Sequence, residues 1–473
     1  MSRQGGREVV GRGSVYTIAT VAPILVTLLI TPLVVRLLGT AQYGYVGISI
    51  TTYQAVAVIL PLGLPAAVTR HALIERSARA GAAGLVLLGA AIAVVIAIPV
   101  GLTSPLWGAI LFGGVGWLLV WPVISSVGLA WMALGQSMLR ADDRARTFVG
   151  LGWTMAIAPP ATALALCVLT GADVIVYLAA LASVQVLVGA MAVWLSCRGT
   201  HVATSTQEAR GALRIALPTV PHQLAMASLG VATVAIVTSM GGVAAGGQAQ
   251  LAFLLGTAPL TILGALNNAW APMVYRSSEE ERGQLLRSTT AVIALIGLAL
   301  IAAFCLCVPW LALILVGSAH SAPLTVAALI TASGAGFMVL YLANIHLVFV
   351  SGRTSLLAVT TPASLLIGVA VAFAVSAASG VAMLAVIVVP VFYGLQYLAS
   401  VALRHVVAQP APRVRAAVPA VAASTVVPIL AGVAVWTDRN GAVLGFIAAI
   451  VVAVAGGGVT FLVWRRQQMA ARP

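Results

Sequence analysis

Long apolar segments separated by short polar clusters form the main pattern along this chain. Each segment has about 20 residues or more, enough for a helix to cross a hydrocarbon core of about 30 Å. Dividing the chain where Gly, Pro and charged residues cluster predicts about fourteen such helices. Their predicted bounds are 14–38, 43–65, 81–103, 108–134, 148–170, 174–196, 214–240, 248–272, 289–315, 322–350, 354–376, 380–403, 415–436 and 441–464. The pattern therefore predicts an all-α polytopic membrane protein.

The arginines predict the orientation of these helices. An even number of spans places both termini on one side, and of the 24 basic residues only Arg36 and Arg439 then fall on the opposite side. The positive-inside rule makes the arginine-rich side cytoplasmic. All basic residues are Arg, and Ala and Val are abundant, which is typical of GC-rich bacterial genomes. We therefore expect a multi-pass protein of the bacterial plasma membrane with both termini cytoplasmic.

Composition agrees with this class and excludes several functions. The chain is 61% hydrophobic and 7% charged, with a mean hydropathy of +1.10, whereas a soluble protein has about 25% charged residues. Its net charge of +14 is explained by topology, so no nucleic-acid partner is expected. The four cysteines fall in apolar segments or at their ends, without the spacing of a metal site or a disulfide framework, so no metal or cofactor is expected.

The carboxylates lie in predicted tails and loops, so the sequence offers no ordinary catalytic constellation. Acidic residues inside a membrane usually carry ion coupling or bind cationic drugs, and their absence disfavours drug-cation antiport. The predicted outer loops have roughly ten residues or fewer, which disfavours a membrane glycan polymerase or ligase. A non-enzymatic transporter is the better interpretation.

A weak internal repeat suggests two similar halves. "LPAAVTRHALIERSARAG" after the second segment is similar to "APMVYRSSEEERGQLL" after the eighth, and "GRGSVYTIATVAPIL" is similar to "GALRIALPTVPHQL". We predict an N-terminal lobe over residues 1–197, a second six-helix lobe over 198–405 and two additional helices over 406–473. Two pseudo-symmetric lobes around a central cavity are a recurring transporter architecture.

Polar side chains share faces on several predicted helices. Tyr16, Thr20, Pro23, Thr27 and Thr31 recur at helical spacing in the first segment. Such hydroxyls can bond to their own helix, so the alternatives are a tightly packed face and a wet cavity suited to sugars. The candidate cavity residues are Tyr16, Thr20, Thr27, Thr31, Arg36, Gln54, His222, Asn267, Asn268, Tyr341, Asn344, Gln396 and Tyr397. The candidate kink or gating residues are Pro23, Pro32, Pro218 and Pro221.

Arg36 ends the first apolar segment, in "VVRLLGTAQYGYVG". It follows Ser14 by 22 positions, or about 33 Å of helix, which places it at the outer interface. On a straight helix it points away from Thr31, so the sequence favours an anchor on lipid phosphates. Contact with a substrate diphosphate, after a bend at Pro32, is the alternative.

Three short motifs resemble those of a known family. The element "RLLGTAQYG", a proline at the start of the seventh segment and a tenth segment ending "VFVSGRT" are similar to polysaccharide transporters of the multidrug/oligosaccharidyl-lipid/polysaccharide flippase superfamily. The resemblance covers essentially the whole chain. It implies twelve core helices in two lobes, two further helices, and export of a lipid-linked oligosaccharide by alternating access.

The predicted function is translocation of a polyprenyl-diphosphate-linked glycan to the outer leaflet. The expected partners of this monomer are its lipid-linked substrate, membrane lipids and other glycan-assembly membrane proteins. A peptidoglycan-precursor flippase and a multidrug exporter of the same superfamily stay open as alternatives. A membrane glycan polymerase or ligase is the alternative from another class.

Overall fold

The computed structural model describes residues 3–74, 78–351, 354–407, 414–437 and 439–470. The chain is 92% helical, without strands in these ranges. The side chains of Tyr16, Thr20, Pro23 and Asn268 lie outside the described residues. The α-helices are α1 (Arg3–Ile59), α2 (Leu64–Ile74), α3 (Ala78–Leu102), α4 (Ser104–Phe112), α5 (Val120–Ala141), α6 (Ala145–Thr170), α7 (Val174–Cys197), α8 (Thr206–Ala216), α9 (Val220–Arg276), α10 (Glu279–Val316), α11 (Ser318–Ala332), α12 (Gly334–Val350), α13 (Leu357–Ser379), α14 (Val388–Val406), α15 (Val418–Trp436) and α16 (Arg439–Ala470).

Two helices, α1 and α9, are much longer than a membrane is thick. Each has 57 residues, or about 85 Å at 1.5 Å per residue, against a hydrocarbon core of about 30 Å. Each is broken by one glycine outside the helical region of backbone space, Gly39 at φ 75° and ψ 163° and Gly242 at φ 80° and ψ 176°. This region is essentially restricted to glycine. Each long helix is therefore two segments joined at a kink.

The number of spans follows from these kinks. Eleven helices of the described residues are long and apolar enough to cross a membrane, or twelve with the bent pair Leu29–Ile59 and Leu64–Leu73 as one span. That count takes the stretch Thr206–Tyr275 as one span. Counting both segments of α1 and of α9 raises the number to fourteen, in agreement with the sequence prediction of about fourteen helices.

The kinks also reveal the internal repeat. Gly39 and Gly242 are 203 positions apart (242 minus 39). Gly44 and Gly247 have the same separation (247 minus 44) and lie against each other, since a Cβ on Gly247 would be 2.7 Å from the Gly44 Cα. The predicted repeat thus has a common register in the backbone.

The chain divides into two compact units, Met1–Gly247 and Gln248–Pro473. In the first unit, α8 packs against α2 and α3. It begins with a capping box formed by Ser205 and Glu208, and its alanines Ala212 and Ala216 join the apolar cluster around Leu64. The predicted lobe boundaries at residues 197 and 405 stay predictions.

Glycines let α5 and α7 pack closely in the first unit. A Cβ on Gly128 would be 2.7 Å from the Val186 nitrogen, and one on Gly135 would be 2.6 Å from the Ala192 oxygen. These two glycines are seven residues apart, so they lie on one face of α5. Small residues on such a face are the usual means of close helix packing in lipid. The contact fixes the position of α7.

The second unit is organised around α12, which is buried from Gly334 to Val348 apart from Phe337. The last two helices, α15 and α16, pack through small residues, and a Cβ on Gly456 would be 2.9 Å from the Pro419 oxygen. The Thr460 hydroxyl accepts a hydrogen bond of 2.9 Å from the Ala420 nitrogen.

The kink at Gly39 predicts the effect of adding a methyl group there. A Cβ at Gly39 would have nothing within 4 Å, so Gly39→Ala should destabilise only through backbone strain, by about 1–3 kcal/mol. Gly150→Ala is the matched control because Gly150 also has nothing within 4 Å but lies in the regular, exposed part of α6. There alanine should be neutral or stabilising. Thermal unfolding in detergent measures both, and equal effects would contradict the assigned strain.

Candidate functional site

A cavity of about 460 Å³ lies within the first unit. It is enclosed by both segments of α1 and by α5, α6 and α7. Its lining residues are Thr27, Ile30, Thr31, Val34, Tyr43, Val46, Ile50, Tyr53, Gln54, Leu129, Met132, Gln136, Phe148, Gly152, Met155, Ala156, Pro160, Tyr177, Leu181 and Gln185. Its volume is within the range of about 300–1,000 Å³ that is usual for small-ligand sites.

The kink of α1 lets one helix supply two parts of the wall. Thr27, Thr31 and Val34 line the cavity from the first segment, at spacings of four and three that place them on one face. Beyond Gly39, Tyr43 and Tyr53 line it from the second segment. A straight helix of this length would carry these two groups far apart, so the turn at Gly39 is what brings them to one cavity.

The wall formed by α7 carries Tyr177, Leu181 and Gln185 at successive spacings of four. The Asp173 side chain caps the start of this helix and accepts hydrogen bonds from Ile175 N at 2.7 Å and Val176 N at 3.2 Å. The backbone of Gln185 and Val186 lies directly against Gly128. The close α5–α7 contact therefore holds Gln185 at a fixed depth in the wall.

Gln185 has an unusual hydrogen-bonding state. Its side chain is hydrogen-bonded to the Tyr53 hydroxyl and is 5% exposed. Within the described residues, however, its Oε1 has no hydrogen-bond partner. Leaving a buried acceptor unpaired costs about 1–3 kcal/mol, and such groups call for a water or a ligand. The Gln185 Oε1 is thus a buried carbonyl acceptor in the cavity lining, beside a tyrosine and without a hydrogen-bond partner among the described residues.

The cavity lining is uncharged, and eight of its twenty residues carry polar side chains. Its lining contains no Asp, Glu, Lys, Arg or His among the described residues, and its polar members are Thr27, Thr31, Tyr43, Tyr53, Gln54, Gln136, Tyr177 and Gln185. Gln136 is itself tied to the wall, since its Nε2 donates to the Phe148 carbonyl at 3.4 Å. No group of three or more metal-ligating side chains is found in the described part of the chain. Such a lining can exchange hydrogen bonds and stack rings on a neutral polar ligand.

The sequence matches no protein-family model, and no curated protein matches it. Solved structures are similar. An inward-facing multidrug resistance MATE family transporter of the MOP superfamily has a TM-score of 0.66 and 14% identity, covering 83% of this chain and 98% of its own. An outward-facing structure of such a transporter has a TM-score of 0.58 and 15% identity, with 85% and 95% covered. The chain has the MATE fold.

A further similar structure shows that this fold covers nearly the whole chain. It is a MOP superfamily transporter from Pyrococcus furiosus, with a TM-score of 0.53 and 15% identity, covering 98% of this chain and 95% of its own. The MOP superfamily is the one that the sequence motifs resemble. At these identities, the agreement concerns the fold and not the substrate.

Three of the predicted residues, Thr27, Thr31 and Gln54, line the cavity of this MATE fold. Arg36 is exposed and is not among the lining residues. The first segment of α1 continues through Pro32 to the break at Gly39.

Three further predicted residues of the first unit, Pro218, Pro221 and His222, lie near the start of α9. Pro218 lies in the 3-10 turn Leu217–Thr219, which separates α8 from α9. Pro221 is the second residue of α9, where a missing backbone N–H is tolerated. His222 follows it and is half-buried, outside the residues that line the cavity.

Two predicted residues of the second unit, Gln396 and Asn344, make hydrogen bonds within that unit. Gln396 links α13 to α14, since its Nε2 donates to the Thr361 hydroxyl at 3.1 Å and its Oε1 accepts from Ser364 at 3.3 Å. Asn344 donates to the Leu340 carbonyl at 2.9 Å within α12. Tyr341 is buried, whereas Asn267 and Tyr397 are half-buried.

Sequence reasoning missed five polar residues of the cavity, which are Tyr43, Tyr53, Gln136, Tyr177 and Gln185. A signal for some of them was present. Tyr177 and Gln185 are eight positions apart, which places them on one face of a helix. Their helix is otherwise strongly apolar, so two polar side chains two turns apart were not recognised as a stripe.

Two buried glutamines of this MATE fold allow a matched test. We expect Gln185→Leu to change the free energy of unfolding by less than about 1 kcal/mol, since it removes one hydrogen bond together with an unpaired oxygen. Gln396→Leu should destabilise by about 1–3 kcal/mol because it breaks two hydrogen bonds between helices. Thermal unfolding of both variants in detergent tests this. A loss at Gln185 as large as that at Gln396 would show that Gln185 serves packing and not a ligand.

Proposed function

We propose that this chain translocates a polyprenyl-diphosphate-linked oligosaccharide or polysaccharide precursor across the bacterial plasma membrane by alternating access. The observation that carries the proposal is the uncharged, hydrogen-bonding cavity with the free Oε1 of Gln185. The MATE fold supports transport, since similar transporters have inward-facing and outward-facing structures. The motifs around "RLLGTAQYG" supply the link to glycan export.

The chemistry of the lining favours a sugar. Sugar hydroxyl and acetamido groups are neutral donors and acceptors, which match the amide and hydroxyl groups of Gln185, Tyr53 and Thr31. Tyrosine rings add a flat apolar surface and carry a polar tip. A polar head group must be shielded from hydrocarbon during its passage, and the cavity offers hydrogen bonds in place of water.

The same lining disfavours a cationic drug as substrate. Intramembrane carboxylates are the usual counter-charges for cations, and no carboxylate lines the cavity in the described part of the chain. For the Pyrococcus furiosus transporter, a reverse polarity of the binding pocket suggests a different function. The MATE fold is therefore compatible with pockets of different polarity.

The membrane potential can supply the energy. Movement of one negative charge outward across an inside-negative membrane is favoured by about 2.3 kcal/mol per 100 mV. A diphosphate carries its own negative charge, so no ion-binding carboxylate is required. The cytoplasmic termini, the lipid-linked partner, the monomeric state, the association with glycan-assembly proteins and the absence of catalysis all belong to this proposal.

Blocking the cavity should stop transport. Thr31 is 7% exposed and lines the cavity, whereas Leu29 on the same segment is 74% exposed. We expect Thr31→Trp to reduce translocation of a labelled polyprenyl-diphosphate oligosaccharide in liposomes at least tenfold, because the indole fills the binding space. Leu29→Trp adds the same side chain at an exposed position outside the cavity lining and should retain translocation.

An inside-negative potential should accelerate translocation of the labelled glycan lipid by the wild-type protein in the same liposomes.

Equal translocation by the Thr31→Trp and Leu29→Trp variants would place the substrate outside this cavity. Expulsion of cationic dyes without movement of any polyprenyl-linked glycan would establish drug export instead.

The exposed Arg36 predicts a separate outcome. If Arg36 anchors on lipid phosphates, Arg36→Lys should retain most translocation, since either cation can reach the interface, and Arg36→Gln should cause a moderate defect. Translocation in liposomes, normalised to the amount of correctly oriented protein, measures both. Complete loss in Arg36→Lys would instead indicate a bidentate guanidinium contact with the substrate diphosphate.

A further inference from the structure

A second cavity of the first unit is an apolar groove of about 390 Å³ between α3, α5 and α7. We call it the α3–α7 groove and define it by the lining residues Leu87, Ala90, Trp131, Val193, Trp194 and Arg198. Apart from Arg198, the side chains of this set are apolar or aromatic. The groove therefore has one cationic member on an otherwise apolar wall.

Because α3 and α7 are long and apolar enough to span a membrane, we place the groove between the membrane surface and the middle of the membrane. Arg198 directly follows the last residue of α7, and that end of α7 lies beside the start of α3, where Cys197 Sγ is 3.8 Å from the Ala83 oxygen. On α7 the lining residues run from Ala190 to Arg198, eight residues or about 12 Å along the helix. Half of a hydrocarbon core is about 15 Å, so the groove covers most of the depth of one leaflet.

The two ends of the groove differ in chemistry. At the surface, the Arg198 guanidinium lies 5.1 Å from the centre of the Trp194 ring, a cation–π distance that holds it over the groove. Arg198 is exposed, and within the described residues it makes no ion pair. At the inner end, Trp131 Nε1 donates to the Ala90 carbonyl at 3.0 Å. The inner wall therefore offers no free indole N–H there, which suits an acyl chain.

The groove is separate from the candidate substrate cavity. At 100° per residue, the α7 residues of the groove lie roughly 170° around the helix from Tyr177, Leu181 and Gln185. A substrate with its head group in the cavity would thus have α7 between it and the groove. The groove faces away from the sugar-binding wall.

We propose that the α3–α7 groove binds an anionic phospholipid, with one acyl chain along Leu87, Ala90 and Val193 and the phosphate held by Arg198. Guanidinium groups bind phosphate oxygens bidentately, and the uncompensated charge at the surface end is complementary to an anionic head group. The apolar wall covers the chain through the depth of the leaflet. The bound lipid would brace α3 against α7, the helix that carries Gln185.

Delipidated protein in detergent can be titrated with phosphatidylglycerol or with phosphatidylcholine of the same acyl chains, with thermal unfolding as the readout. We expect phosphatidylglycerol to raise the Tm at concentrations about fivefold lower than phosphatidylcholine. Arg198→Gln should abolish that preference. Arg140→Gln is the matched control, since Arg140 also lies over an aromatic ring, 5.3 Å from the centre of Phe148, but does not line the groove.

A groove-filling variant and a cross-linking measurement locate the lipid independently of charge. Ala190 of α7 also lines the groove, so Ala190→Trp should fill it and weaken stabilisation by both lipids. Phosphatidylglycerol with a photoreactive acyl chain should label peptides of α3 and α7 in the wild-type protein.

Equal effects of the two lipids on the wild-type protein, or equal losses in the Arg198 and Arg140 variants, would overturn the proposal. Labelling confined to other helices would overturn it as well. If polyprenyl phosphate gave the Arg198-dependent shift and phosphatidylglycerol did not, the groove would belong to the substrate lipid, and the phospholipid assignment would be wrong.

Discussion

The need to pair every backbone N–H and C=O inside hydrocarbon governs this structure. Helices satisfy that need within themselves, so the backbone in the membrane is already paired. The polar character of the cavity must then come from side chains. Thr31, Tyr53 and Gln185 supply it, and their positions depend on how closely the helices that carry them can pack. The glycines of α5 are therefore as important to the site as the residues that line it.

The repeat keeps the backbone while the chemistry of its two halves differs. At the common separation of 203 positions, Gln54 corresponds to Thr257. Gln54 lines the cavity, whereas Thr257 bonds to the Phe253 carbonyl of its own helix at 2.7 Å. Two similar backbones can in this way carry different side-chain chemistry at matching positions.

The sequence predicted the class, the number of spans and three residues of the cavity lining, because each depends on local patterns. Segment length indicates a span, and Thr27 and Thr31 recur at helical spacing. The partner of a side chain is not local. Gln54 and Gln396 look alike in the sequence, yet Gln54 lines the cavity and Gln396 is paired with Thr361 on another helix. The break at Gly39 falls in the predicted gap between the segments 14–38 and 43–65, because glycine is a local signal. The sequence did not show that a single residue at positive φ joins the two segments without a loop.

The kink at Gly39 links the shape of the cavity to the bend of α1, because both segments of that helix line the cavity. The two wall segments of that helix are rigid rods joined at one residue, and nothing lies within 4 Å of where a Cβ on that residue would be. A small change in the φ and ψ angles of Gly39 would change the angle between the two helical segments. The distance between Thr31 and Tyr53 would then change as well. The cavity could then be widened or narrowed without unwinding a helix. The volume available to a ligand therefore depends on the backbone conformation of Gly39.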